Sequence, residues 1–465
     1  MTTCMAGTRG RYYSHATTFD VAVATMRTRA MFMHSSGWGR HPIIETITHN
    51  PATRAGLTST LRDVPDPVIP RGMGRSYGDA SLAPHTLCMT RFDHFINFDI
   101  ERGTIECGAG ITLASLMQLS VAHGWFVPVL PGTGLVTLGG AIAADVHGKN
   151  HHHDGSFSQY VDEISLMLAD GALLRCSRSS HSPLFHATAG GMGLTGVIVA
   201  ARLRLRAVRS SFIEETVIAA KDLASTLALL DEHHEATYGV AWLDVNQHGT
   251  GRGRGLVMLG EHLGDGDLHS SARRPLAVPV DLPAGLLTQP VTRAFNALYF
   301  RRGLARCARR RVHYAQYFFP LDALRDWNRL YGKAGFMQHQ CVIPSTTAAA
   351  ALDDMLDAVS ASGLVSPLAV LKGFGPANDN LLSFPQAGLT LTMDFAMSPA
   401  TLALFARLDD IVVAHGGRLY LAKDACMSMA TFRRGYPSWE AFQEIRARYG
   451  ALGRFASLQS QRLGL

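Results

Sequence analysis

Apolar side chains recur in two rhythms along the 465-residue chain. Between residues 95 and 110, FINFDIERGTIECGAG, they alternate on either side of Arg102 and Gly103, which predicts two short strands joined by a tight reversal. Residues 112–123, TLASLMQLSVAH, hold them at 113, 116, 117 and 121, the spacing of one helical face. Thr112 stands there at the cap position and Gly124 just past the end. Alternation returns from Val197 to Arg206, with Arg202, Arg204 and Arg206 on one face and Leu203 and Leu205 on the other. Helical spacing reappears in VTRAFNALYF, residues 291–300. This mixture predicts an α+β fold, and ~100–200 residues per domain makes it two or three units.

Composition narrows the class. Apolar residues form 47% of the chain and charged ones 17%, which excludes a disordered polymer and implies a sizeable core. No apolar run is long enough to span a bilayer. The first forty residues hold one acid, Asp20, against Arg9, Arg11, Arg27, Arg29 and Arg40, without the apolar segment and cleavage site of a secretory signal. Residues 1–36 are therefore expected to lie outside the fold, as a disordered or mis-assigned extension with Met31 and Met33 as later starts. Seven cysteines without CxxC spacing fit idle thiols in a reducing, cytoplasmic setting. The net charge of +6 permits an anionic substrate or membrane surface and is no signature of nucleic-acid binding.

Three glycine clusters carry the chemistry. The first is PRGMGRSYGDASLA, residues 70–83; the second is LPGTGLVTLGGAIAADVHGKNHHHDGS, residues 130–156. In the second, the small residues from Gly139 to Ala144 would let backbone approach a flat or charged ligand, or would simply pack a helix closely. The third begins at residue 190 and contains GxGxxG at Gly191, Gly193 and Gly196, yet a strand follows it where a dinucleotide-binding helix would have to open. Three such loops together suggest one long, extended cofactor. His147 and His151 are four apart like two metal ligands, but Gly148 and Asn150 interrupt the helix and no HExxH glutamate is present, so no metal is expected.

The stretches GWGRHP (37–42), RGMGRSYGD (71–79), VPVLPGTGLVTLGGAIAADVHGKNHHHDGSF (127–157), GGMGLTGVI (190–198), GFMQHQCVIP (335–344), LKGFGPANDNLLSFP (371–385) and GGRLYLAKDA (416–425) resemble the bacterial decaprenylphosphoryl-β-D-ribose 2′-oxidases, members of the vanillyl-alcohol-oxidase class. The resemblance implies a two-part PCMH-type FAD-binding domain at 37–206. An α+β substrate, or cap, domain at 207–415 would be inserted before a C-terminal return at 416–465. It implies that the loop from Arg71 to Tyr77 wraps the pyrophosphate with the amides of Gly72, Gly74 and Arg75 and the hydroxyl of Ser76. Relatives that bond flavin covalently carry histidine where this chain has Tyr77, which implies non-covalent FAD. Gly132, Thr133, Thr137 and Gly139 would follow the pyrophosphate and flavin, with Gly193 and either Val197 or Ile198 by the adenosine half. His147 and Lys149 would line the substrate side. Lys423, in a strand-like segment, matches an active-site lysine of the family, where positive charge would meet charge developing on the flavin or would hold the substrate hydroxyl.

Lys372, Gln338, Gln340 and Tyr317 are candidates for sugar and phosphate contacts, and alternation sets the two glutamines on one strand face. Trp242 reads equally well as a substrate contact or as core. Thr392 and Thr390 stand where mycobacterial members carry cysteine and asparagine, so the pocket polarity differs. The expected reaction is oxidation of a sugar secondary alcohol, most closely the 2′-hydroxyl of a polyprenyl-phosphoryl ribose, to a keto-sugar that a short-chain reductase partner would convert to the epimer. An aldonolactone oxidase or dehydrogenase, and a non-catalytic binder of lipid-linked sugar, are the alternatives. RRGLARCARRR, residues 301–311, reads either as a solvated face or as a peripheral contact with anionic lipid or a polyprenyl phosphate.

Overall fold

The computed structural model describes residues 31–269, 275–283 and 287–465. Strands and helices arise where the two rhythms predict them. Phe95–Asp99 and Thr104–Gly108 pair antiparallel, with Gly103 at φ 65° in the reversal. Leu113–Ala122 is a helix whose cap, Thr112, accepts from the Ser115 N–H. Val197–Arg204 is a strand with Leu203 buried and Arg202 and Arg204 exposed.

Two sheets form the first half. One has four strands in the order Met31–Ser36, Ile43–His49, His85–Cys88, Val68–Arg71. The other has five antiparallel strands, with Val197–Arg204 third in the row. The expectation that residues 1–36 lie outside the fold is corrected in part: Met31–Ser36 pairs along its whole length with Ile43–His49, while residues 1–30 lie outside the described residues. The period-two pattern of MFMHSS is too short to declare itself without its partner.

The second half is built on an eight-stranded antiparallel sheet. Its order is Arg309–His313, Phe212–Ala220, Gly255–His262, Tyr238–Leu243, Ala369–Phe374, Gly388–Ala396, Phe336–Pro344, Arg418–Leu419. After the last strand the chain runs back to the first half. The Val68 N–H donates to the Arg454 carbonyl at 2.9 Å, and the Arg462 guanidinium bridges Asp79 and Asp424, each at 2.8 Å. Leu57, Val68, Met167, Val197 and Phe455 share the core this closure seals. Among the described residues no helix is long and apolar enough to cross a membrane.

A second tie joins the halves. Asp145, fully buried and at φ 39°, accepts from Ser156, the Ser158 N–H, Asn378, Asn380 and Ser383. Five donors repay the desolvation of one carboxylate and hold the 376–385 loop against the second glycine cluster.

Candidate functional site

One cavity of about 1670 Å³ runs between the halves. The first two glycine loops meet along it: a Cβ on Gly72 would stand 2.2 Å from Thr137 Oγ1, so no other residue fits there. Gly74 takes φ 62°, over the Arg71 guanidinium, which braces the loop from behind by donating to the Ser36 carbonyl at 2.7 Å and to Ser81 Oγ at 3.0 Å. The Arg75 guanidinium carbon stands over Trp38, 4.0 Å from the ring centre, and its Nε is buried without a partner among the described residues. Thr137 caps the short Leu138–Ala143 helix. A narrow cradle lined by backbone, with a buried donor left over, fits a pyrophosphate.

Of the residues singled out from sequence, Arg71, Gly72, Gly74, Arg75, Ser76, Tyr77, Gly132, Thr133, Thr137, Gly139, His147, Gly193, Ile198, Trp242, Tyr317, Gln338, Gln340, Lys372 and Lys423 all line this cavity. Val197 does not: strand alternation turns Ile198 to the cavity and Val197 into the core behind it. Lys423 also needs a correction, since it sits in the turn after Arg418–Leu419, its N–H bonded to the Tyr420 carbonyl at 2.9 Å, and not in a strand.

At the polar end, His147 is held at both ring nitrogens. The Gln340 amide lies 2.9 Å from Nε2 and Lys372 Nζ 3.2 Å from Nδ1. An amide nitrogen only donates, so Nε2 accepts and the neutral ring carries its proton on Nδ1, facing the lysine. Burial, followed by the charge of Lys372, keeps the His147 ring neutral. Burial and then Lys423 and Lys149 bring Lys372 down to about 7, so a neutral amine is accessible to receive that hydrogen bond. Burial likewise brings Lys149 to about 8; its Nζ donates to the Tyr317 carbonyl at 2.7 Å and lies 3.8 Å over that ring.

A second network surrounds Lys423. Its Nζ is 3.7 Å from the Tyr77 ring centre, Gln338 donates to Asp394, and Tyr331 also bonds that carboxylate. Burial lowers Lys423 and raises Asp394, and the charge of each opposes the shift of the other.

Asp394, Tyr331 and Asp322 were not found from sequence. Asp394 was detectable, because Thr390, Thr392 and Asp394 alternate on the same sheet face as Gln338 and Gln340. Asp322, which accepts from the Gly134 N–H at 2.8 Å, and Tyr331, stacked on Phe336, come from the 3-10 turns Pro320–Ala323 and Trp327–Tyr331, too short for a periodicity to read. Among the described residues no three His, Cys, Asp or Glu side chains converge as a metal site.

The arginine run divides. Arg301 and Arg302 end the Gln289–Leu304 helix, whereas Arg309–His313 is the edge strand of the large sheet. Arg309 faces Glu214 at 3.7 Å, Arg310 pairs with Glu215, and Arg311 with Asp265 and Asp267. Three of the six arginines are thus paired with nearby acids, while Arg309 stays 77% exposed.

Residues 50–177 match the family model described as an FAD binding domain, and residues 333–463 that of D-arabinono-1,4-lactone oxidase. With the cradle and the amine-lined cavity, these matches define an FAD-dependent oxidoreductase. Decaprenylphosphoryl-beta-D-ribose oxidase of Mycolicibacterium smegmatis is 34% identical over 448 residues, 92% of this chain and 97% of that protein. L-gulonolactone oxidase of Bos taurus is 30% identical over 145 residues, 31% of this chain and 32% of that protein. Delta(24)-sterol reductase of Homo sapiens is 30% identical over 121 residues, 26% and 23% of the two chains. The chain belongs to the decaprenylphosphoryl-β-D-ribose oxidase-like FAD oxidoreductases of the vanillyl-alcohol-oxidase superfamily.

Proposed function

We propose that the protein oxidises the 2′-hydroxyl of a polyprenyl-phosphoryl-β-D-ribose-like substrate to the ketone, a product of the class that a partner reductase takes to the epimer. The observation that carries this reading is the convergence of Lys372, Gln340 and neutral His147 on one end of the cavity. Bound FAD, held non-covalently by the 71–77 and 132–139 loops, would supply the hydride acceptor. The Lys372 amine, held near neutrality, exchanges the His147 Nδ1–H for the sugar hydroxyl as its hydrogen-bond donor and takes the hydroxyl proton on the lone pair so freed as the carbon–hydrogen bond breaks. Lys149 is the cation available to the phosphate, and Lys423 offsets negative charge developing at the cofactor. In this reading the substrate half is a cap domain at 207–415, inserted before the 416–465 return.

A second reading, oxidation of a soluble aldonolactone, has the 333–463 match in its favour. Anaerobic mixing of the holoenzyme with a prenyl-phosphoryl ribose or with a γ-lactone separates them. The first reading requires the flavin colour to bleach with the lipid-linked pentose; bleaching by the lactone alone selects the second.

A further inference from the structure

The chain holds five lysines, and three of them, Lys149, Lys372 and Lys423, line the cavity; Lys221 and Lys333 are exposed outside it. Each cavity amine meets a different partner. Lys149 Nζ donates to the Tyr317 carbonyl and lies over that ring, while Lys423 Nζ lies over the Tyr77 ring and is favoured in its charged form by Asp394. A carbonyl oxygen, an aromatic face and a carboxylate all suit an ammonium. Lys372 faces a donor instead.

The Gln340 amide donates to His147 Nε2 at 2.9 Å, which leaves the ring proton on Nδ1, 3.2 Å from Lys372 Nζ. An ammonium has no lone pair to receive an N–H, so this contact is a hydrogen bond only when Lys372 is a neutral amine. The surrounding groups act in the same direction. Burial comes first, then the charges of Lys423 and Lys149, with no acid among them. His151, on the short His151–Asp154 helix, is kept neutral by burial, and Thr390, opposite Lys372 in the sheet, carries no charge. The Phe374 ring centre stands 6.0 Å from Nζ, at the outer limit for holding a cation. Lys372 nevertheless keeps part of its surface accessible, and it lines the cavity.

We propose that Lys372 is a carbonyl-capturing nucleophile, which binds an aldehyde or α-hydroxyketone entering the cavity as an imine. The nitrogen lone pair, released from the His147 Nδ1–H, forms a bond to the carbonyl carbon; the carbonyl π pair moves to oxygen, and the two amine hydrogens leave with that oxygen as water. The link to turnover rests on the function proposed above, because the ketone formed there belongs to the class captured. An amine that has just taken the hydroxyl proton is an ammonium and cannot attack. The product is therefore safe until that proton is lost, and a ketone slow to leave inhibits its own enzyme.

The test incubates the holoenzyme with glycolaldehyde and sodium cyanoborohydride, whose hydride reduces the imine to a stable hydroxyethyl amine. Peptide mass spectrometry locates the labelled lysine, and Nα-acetyl-lysine in the same tube is the reference. Near pH 7, an amine brought down to about 7 has about a thousandfold more of the neutral form than one at the ordinary value of about 10.4. A weaker base is a weaker nucleophile, so Lys372 should label at least about tenfold faster than the reference, with a ratio level below about pH 7 and falling above it. Gln340→Glu offers His147 only acceptors. The ring proton then moves to Nε2, Nδ1 accepts, and Lys372 returns to an ammonium; its labelling should fall at least about tenfold although the lysine is still present. The wild-type ratio decides by itself should that variant lose its flavin. Equal label on Lys221 or Lys333, a Lys372 rate no greater than the reference, or an unchanged rate in a flavin-loaded Gln340→Glu overturns the proposal. Label confined to Lys372 in an enzyme whose flavin no sugar bleaches would uphold capture and remove only its link to the product.

Discussion

Lys423 Nζ lies 3.7 Å from the centre of the Tyr77 ring, so a turn near the end of the chain presses its charge against the first glycine loop. The aromatic face steadies a cation that burial would otherwise discharge. Lys423→Ala should keep its FAD and lose turnover ~100-fold or more, about 3 kcal/mol of transition-state stabilisation. Stopped-flow flavin reduction measures this, and a near-normal rate would leave the lysine a purely structural contact.

Asp394→Asn should shift the pH profile. The isosteric amide keeps the volume but removes the negative charge that favours protonated Lys423. The lysine then loses its proton at lower pH, and the alkaline limb of kcat moves to lower pH. An unmoved limb, measured beside wild type at constant ionic strength, would separate Asp394 from Lys423.

Lys372 gives a prediction about stability. Its value falls from 10.5 in the open chain to about 7 in the fold, so between these the unfolded state binds more protons and stability rises with pH. Below pH 7 the cost of burying the charge is fully present. Lys372→Met should therefore raise the melting temperature more at pH 6 than at pH 9 while abolishing turnover; a pH-independent change would show that the amine does not titrate in this window.

Tyr77 cannot supply the imidazole through which covalent relatives hold flavin. Acid or heat precipitation should leave the yellow colour in the supernatant as intact FAD. Flavin remaining with the pellet would require a linkage elsewhere.

What could be read in the sequence follows from the range of each interaction. Thr112, Gly103 and the 197–206 alternation declare themselves because caps, reversals and strand faces are set by neighbours within a few residues. The glycine loops were legible through their resemblance to a family, and the cavity gathers nearly every residue so named. Asp322 and Tyr331 escaped because turns of four and five residues are too short to show a period, and of Val197 and Ile198 it is the second that takes the cavity side. The pairing within the arginine run was illegible for a related reason: Glu214, Glu215, Asp265 and Asp267, which face its last three members, lie 44 to 95 positions away along the chain.

The return of the chain to its first half sets the order in which the protein can mature. Tyr77 donates its N–H to the Ala422 carbonyl at 2.9 Å, and Arg462 clamps Asp79 to Asp424. A nascent polypeptide paused between residues 140 and 419 has made the glycines of the 71–77 and 132–139 loops but none of the turn that backs them. Capture of the cofactor in its final form must therefore wait until residue 462 has cleared the ribosome, and a stalled translation product should be colourless however complete its first half.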